Sequence, residues 1–69
     1  MDRAIKIFLR AVRANANMTQ EEWSNALHVD KSTVVNWENG KSEPSASTLR
    51  KMSELSGIPM DFIYCGQQS

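Results

Sequence analysis

TQEEWSNALHVDKSTVVNWENGK, residues Thr19 to Lys41, decides how the rest of the chain must fold. It reads as two short helices joined by a tight turn. Thr19 is followed three residues later by Glu22. This is the capping-box pattern, in which each side chain satisfies a free backbone N–H of the other, and it marks a helix start. Apolar residues then fall at Trp23 and Leu27, at Val29 in the turn, and at Val34 and Trp37. Each helix therefore turns one face toward a shared interior. Ser24 is small and inward, which lets the second helix cross closely over the first at a steep angle.

The connector His28-Val29-Asp30 leaves no room for a relaxed loop and demands one backbone position near the left-handed region. His28 is the expected one, because His is among the few non-Gly residues enriched there. Asp30 is then the expected N-cap of the second helix, and Gly40 follows its end, where a left-handed C-cap is wanted.

In this order the residues resemble the lambda-repressor and Cro-like helix-turn-helix family, also called the XRE family. Thr19-Gln20-Glu21-Glu22, the apolar spacing just given, and Trp37-Glu38-Asn39-Gly40-Lys41 followed by Pro44 carry the resemblance. It extends upstream through Leu9, Val12 and Arg13, and downstream through Leu49, Met52, Leu55, Gly57, Ile58, Pro59, Asp61 and Ile63. Three positions depart from the family's habit: His28 stands where Gly is usual, Ser24 where Ala is usual, and Trp23 where an aliphatic residue is usual. The resemblance also implies an ion pair between Arg13 and Glu38, joining the first helix to the end of the third; two independent solvated charges are the plainer alternative.

Sixty-nine residues permit one small domain, burying only about 60% of the surface its unfolded chain would expose. We divide the chain into a helix-turn-helix domain over 1–65 and a flexible tail over 66–69. A single Cys65 excludes an internal disulfide, and no His/Cys cluster has metal-ligand spacing. A hydrophobic core without metal or cofactor is expected, in keeping with a reducing cytoplasm. Arg3, Lys6, Arg10 and Arg13 interrupt the N-terminal region at every turn, so it has no signal-peptide or membrane-span pattern. The Met start and polar tail suit a complete, unprocessed chain.

Net charge is zero, with eight basic and eight acidic residues. A nucleic-acid role would have been better supported by a basic domain. Distribution outweighs the sum, however, because local patches set the field a phosphate backbone meets. Arg3, Lys6, Arg10 and Arg13 all lie on the first expected helix, and Lys31 and Lys41 bracket the third.

Taken in order, Asp2 is placed to cap a first helix running to about Ala16, with Ile5, Leu9, Val12 and Ala16 on its core face and Phe8 adjoining. Ala4, Ile7, Ala11 and Ala14 form a mild second stripe, read as Ala-rich surface. Asn17 is a left-handed stop. Beyond Gly40, Pro44 forces Glu43 into extended geometry. Ser45 then caps a fourth helix that turns Leu49, Met52 and Leu55 inward and ends at Gly57. Pro59 opens a last helical turn through Met60, Asp61, Phe62, Ile63 and Tyr64. No strand pattern is visible. The expected architecture is all-α, a compact five-helix bundle in which helices 2 and 3 form the helix-turn-helix.

On the third helix Val34 and Trp37 point inward, so Ser32, Thr33 and Asn36 point outward, with Lys31 projecting from the first turn. Such a face fits the DNA major groove, about 12 Å wide. Asn matches adenine N6 and N7, Lys matches guanine O6 and N7, and Ser suits either. The family resemblance assigns base contacts to Lys31, Ser32 and Asn36. It assigns phosphate contacts to Gln20 and to the Asn39–Lys41 segment, Asn39 and Lys41 above all. A helix N-terminus presents free N–H groups to an anion at Gln20, in agreement with that assignment. Thr33 and Val35 are additional candidates, Val35 toward a thymine methyl or simply idle at the surface. Glu43 opposes DNA contact, or faces solvent.

Trp23 and Trp37 are packing residues, His28 a turn residue, and Cys65 an inert thiol. No nucleophile, base and orienting group fall together, so no enzyme is expected. The function expected is a sequence-specific, double-stranded DNA-binding regulator, a Cro-type phage or prophage repressor on an inverted-repeat operator. It would act as a weak homodimer strengthened on DNA, with Met60, Phe62 and Tyr64 as interface candidates and no membrane or small-molecule ligand. The rival reading is a protein-interaction module such as the antitoxin half of a toxin-antitoxin pair, favoured by zero net charge and Glu43.

Overall fold

Left-handed residues punctuate the helices of this chain. In the computed structural model, which describes residues 6–65, the first helix, α1 (Leu9–Asn15), closes at Asn17, whose φ is 59°. The second, α2 (Gln20–Leu27), closes at His28, φ 61°. The third, α3 (Lys31–Glu38), runs past Asn39 to Gly40, φ 77°. Each of these ends makes the same pair of bonds. Met18 N donates to Arg13 O, Val29 N to Ser24 O and Lys41 N to Asn36 O, while the residue before each donates three positions back. This is the Schellman arrangement, which satisfies otherwise orphaned carbonyls and turns the chain sharply. The fourth helix, α4 (Ala46–Ser56), ends at Gly57, φ 78°, with the single Gly57 N to Ser53 O bond.

The starts are equally explicit where short polar side chains stand at them. Thr19 Oγ1 accepts from Glu22 N at 3.1 Å, and Glu22 Oε1 accepts from Thr19 N at 2.9 Å, completing the capping box. Ser45 Oγ accepts from Thr48 N. Asp30 occupies the N-cap of α3 with extended backbone, but its side chain makes no capping bond; its carbonyl accepts from Thr33 N and Val34 N instead.

Leu9, Val12, Trp23, Leu27, Val34, Trp37, Met52 and Ile58 form the core. Helices α1, α2, α3 and α4 all contribute to it, α3 packs on α2, and Ser24 of α2 is buried. Ser24 Oγ donates to Glu21 O at 2.7 Å, so this buried hydroxyl is satisfied within its own helix. Asn15 Nδ2 donates to Ser56 O at 2.7 Å, tying the C-terminal ends of α1 and α4 together.

The ends of the chain depart from the expected five-helix bundle. The first helix begins at Leu9 rather than near Asp2, and Phe8 at its N-cap has extended backbone without a side-chain cap. The expected cap Asp2, with Ala4 and Ile5, lies outside the described residues, as does the whole of the expected tail over 66–69. Ile7–Phe8 instead form a short strand, β1, paired in parallel with β2 (Ile63–Tyr64), Ile7 opposite Ile63 and Phe8 opposite Tyr64. The expected fifth helix is one 3₁₀ turn, Met60–Phe62, and it gives way to β2. The physical reason is composition: Ile, Phe and Tyr fit a pleated surface, and two such runs brought side by side satisfy each other's backbone. Ile7, read as part of an exposed stripe, packs against the core beside Ile63. Among the described residues the fold is thus four α-helices, a 3₁₀ turn and a two-strand parallel bridge.

Candidate nucleic-acid interface

The short turn at His28 fixes α3 across α2, and the buried pair Val34 and Trp37 sets its rotation about its own axis. What remains outward is Lys31, Ser32 and Asn36, all exposed, with Thr33 and Val35 half-buried at the margins. A single exposed helical face therefore holds an ammonium, a hydroxyl and a carboxamide. These groups can hydrogen-bond the edges of bases in a major groove. Beyond the helix, Asn39 and Lys41 are exposed on the Schellman turn, and Glu43 is exposed in the connector leading to the buried Pro44.

Behind this face lies a buried carboxylate. Glu38, the last residue of α3, has a side chain only 2% exposed. Its Oε2 accepts from Arg13 Nε at 2.7 Å, and its Oε1 accepts from Arg13 Nη2 at 3.2 Å, a two-pronged pairing. Arg13 Nη1 donates to Met18 O at 3.0 Å, so the guanidinium also holds the loop between α1 and α2. Gln20 Nε2 donates to Glu38 Oε1 at 3.1 Å. One carboxylate thereby joins α1, the start of α2 and the end of α3. Removal of a charge from water is costly, and a pair of this kind fixes orientation through its geometry and its additional hydrogen bonds.

Two placements here were not read from the sequence. Gln20, assigned to a phosphate, is held by Glu38 and is half-buried; among the described residues its amide oxygen and second N–H have no partner. Arg10 lies on the same cluster, its Nε 3.9 Å from Glu38 Oε1 and its side chain 58% exposed. The signal was present in the spacing, because Arg10 and Arg13 are three residues apart and share one helix face.

A helix-turn-helix family model matches residues 9–63, from the start of α1 through the first residue of β2. The chain belongs to the XRE-type helix-turn-helix family of DNA-binding proteins. It is 28% identical over 60 residues to the HTH-type transcriptional activator BcrR of Enterococcus faecalis, a match covering 87% of this chain and 29% of that protein. It is 31% identical over 52 residues to the cryptic phage CTXphi transcriptional repressor RstR of Vibrio cholerae, covering 75% and 47% respectively. An uncharacterized HTH-type transcriptional regulator of Methanocaldococcus jannaschii is 32% identical over 56 residues, 81% of this chain and 85% of that one. The chain spans less than half the length of the first two relatives. No solved structure matches it.

Within this XRE-type domain the three interface candidates differ from one another. Met60 and Phe62 are exposed, at 37% and 36%. Tyr64 is half-buried and engaged: its ring meets Phe8 edge-on, with centroids 5.2 Å apart, and Lys6 Nζ lies 4.8 Å from its centroid. Cys65 follows, its thiol pKa pushed up by burial and by the nearby Glu43 carboxylate, which favours the less reactive protonated form. A shallow cleft of about 220 Å³ is lined by Leu27, Ser47, Thr48 and Lys51. Among the described residues no group of three or more His, Cys, Asp or Glu is placed to hold a metal, and no helix is long and apolar enough to cross a membrane.

Proposed function

We propose that this chain is a sequence-specific double-stranded DNA-binding transcriptional regulator acting in the cytoplasm, a Cro-type phage or prophage repressor. The observation that carries the reading is the outward face of α3, where Lys31, Ser32 and Asn36 stand exposed on a helix whose opposite side is locked by Val34 and Trp37. These three residues contact base edges, with Thr33 and Val35 at the margin. Gln20, Asn39 and Lys41 contact phosphates and set the register. The similarity to a phage repressor and to an activator supports a regulatory role.

One helix reads few base pairs, so specificity requires a twofold pair of domains with recognition helices about 34 Å apart on an inverted repeat. Met60 and Phe62 supply the exposed apolar surface for that pairing, Tyr64 being already committed to Phe8 and Lys6. An area this small gives a weak dimer in free solution that DNA strengthens.

Selection from random duplex DNA at about 0.15 M salt, followed by sequencing, tests the reading. An enriched inverted repeat with half-sites one helical turn apart is the expected result. On that site Asn36→Ala costs about 1–3 kcal/mol and relaxes preference at one base pair. Folded protein that enriches nothing would transfer the weight to a protein-interaction module, the reading that zero net charge favours.

A further inference from the structure

The buried carboxylate cluster is over-supplied with positive charge. Glu38 contributes one negative charge and is approached by two guanidiniums, Arg13 and Arg10. Arg13 meets it at hydrogen-bonding distance with two N–H groups and spends a third on Met18 O. The carboxylate is then completed by Gln20, so that Oε1 already has two donors. Arg10, at 3.9 Å, is outside hydrogen-bonding range of that oxygen and remains 58% exposed. Among the described residues Arg10 makes no hydrogen bond through its side chain; its planar fork of donors is left facing solvent.

Position gives this surplus a use. Gln20 Nε2 and Arg10 Nε both lie within 3.9 Å of one atom, Glu38 Oε1. Gln20 is also the first residue of α2, an eight-residue helix whose positive dipole end it shares with Glu21 and Glu22, the Glu22 N–H being taken by Thr19. The turn carrying Asn39 and Lys41 begins at the residue after Glu38. An exposed guanidinium, a fixed amide and a helix start thus converge beside one carboxylate.

We propose that Arg10 is a backbone-phosphate contact, binding the phosphate that Gln20 binds or the one next to it, with Glu38 as the positioning residue that sets both side chains. This rests on the DNA-binding reading above. Glu38 Oε1 lies 3.9 Å from Arg10 Nε, which places the guanidinium near Gln20 without a hydrogen bond to the carboxylate. A phosphate arriving there replaces solvent around Arg10 and gains charge-assisted hydrogen bonds.

The test compares the parent with Arg10→Gln and Arg10→Lys on a mixed-sequence duplex of roughly 20 base pairs, two turns of B-DNA. Affinity is measured across a salt series, and thermal unfolding is followed in parallel. Loss of one phosphate contact reduces the slope of log affinity against log salt by about 0.9, and lowers affinity about eightfold near 0.1 M salt. Arg10→Gln shows that loss, and Arg10→Lys keeps the parent slope because a cation remains. The exposed side chain makes both variants fold. A parent with a steep slope that Arg10→Gln reproduces would overturn the proposal and leave Arg10 as a partner of Glu38 alone. A parent without salt-dependent binding would overturn the DNA-binding reading itself, and this proposal with it.

Discussion

The α2–α3 unit and the β1–β2 pair are built in opposite ways. The unit is specified by neighbours in sequence: Thr19 with Glu22, Ser24 with Val29, Asn36 with Lys41. Among the described residues, Glu38 ties it by side-chain hydrogen bonds to Arg13 of α1, while Gln20 to Glu38 closes the unit on itself. The strand pair joins Ile7 to Ile63 and Phe8 to Tyr64, residues separated by almost the whole domain. Local bonds form with little loss of chain entropy, while a distant pair must first close a long loop. The unit should consequently be the rigid platform, and the strand pair the place where the domain opens first.

Glu38→Ala offers the sharpest way to break this contrast. It leaves the Arg13 guanidinium without its carboxylate and Gln20 without its acceptor, and should cost about 3 kcal/mol of global stability, read from urea unfolding. A loss confined to α1, with α2–α3 unaffected, would mean that the unit does not depend on its one distant tie. Phe8→Ala should act in the other direction, removing the edge-on contact with Tyr64 for about 1.5 kcal/mol. Hydrogen exchange should then accelerate at Ile63 and Tyr64 and stay near the parent rate in α2 and α3; equal acceleration everywhere would show that the ends do not open separately.

Thr19→Ala removes half of the capping box and should destabilise by about 1 kcal/mol, visible as a lower unfolding midpoint. The smallest effect is expected at His28, and its sign is favourable. A left-handed L-residue costs about 1–2 kcal/mol, whereas Gly surrenders about 0.5–1 kcal/mol of unfolded-chain entropy. His28→Gly should therefore stabilise by about 0.5 kcal/mol. A decrease in its melting temperature would indicate that the imidazole itself supports the turn.

The same contrast explains what could be read from the amino-acid order. The capping box, the left-handed stops at Asn17, His28 and Gly57, and the inward faces of α2, α3 and α4 were legible, because each is written within one or two turns of chain. Ile7 and Phe8 were not. As a short apolar run with helical spacing on either side, they fit α1 until a partner strand is supplied from more than fifty residues away. The contacts of Tyr64 were hidden for the same reason, since its partners Phe8 and Lys6 belong to the opposite end of the chain. At the candidate interface, the polar face of α3 followed from Val34 and Trp37. The junction of Arg10, Arg13 and Gln20 on one carboxylate depends on how three helices converge, and Asp30 without a side-chain bond shows that a favourable cap residue can stand in place unused.

Because Ile7 and Ile63 are neighbours across a parallel ladder, the start of β1 lies beside the start of β2, with backbones about 4.8 Å apart. Both strands run the same way, so a peptide bridge from beyond Tyr64 must turn back along the pair to reach the residue before Ile7, and a crossover of about a dozen residues would make the backbone a ring. New ends could then be opened elsewhere, for instance in the exposed connector at Ser42 and Glu43. Such a circular permutant would keep α2 and α3 in unbroken order while converting its most distant contact into a local one.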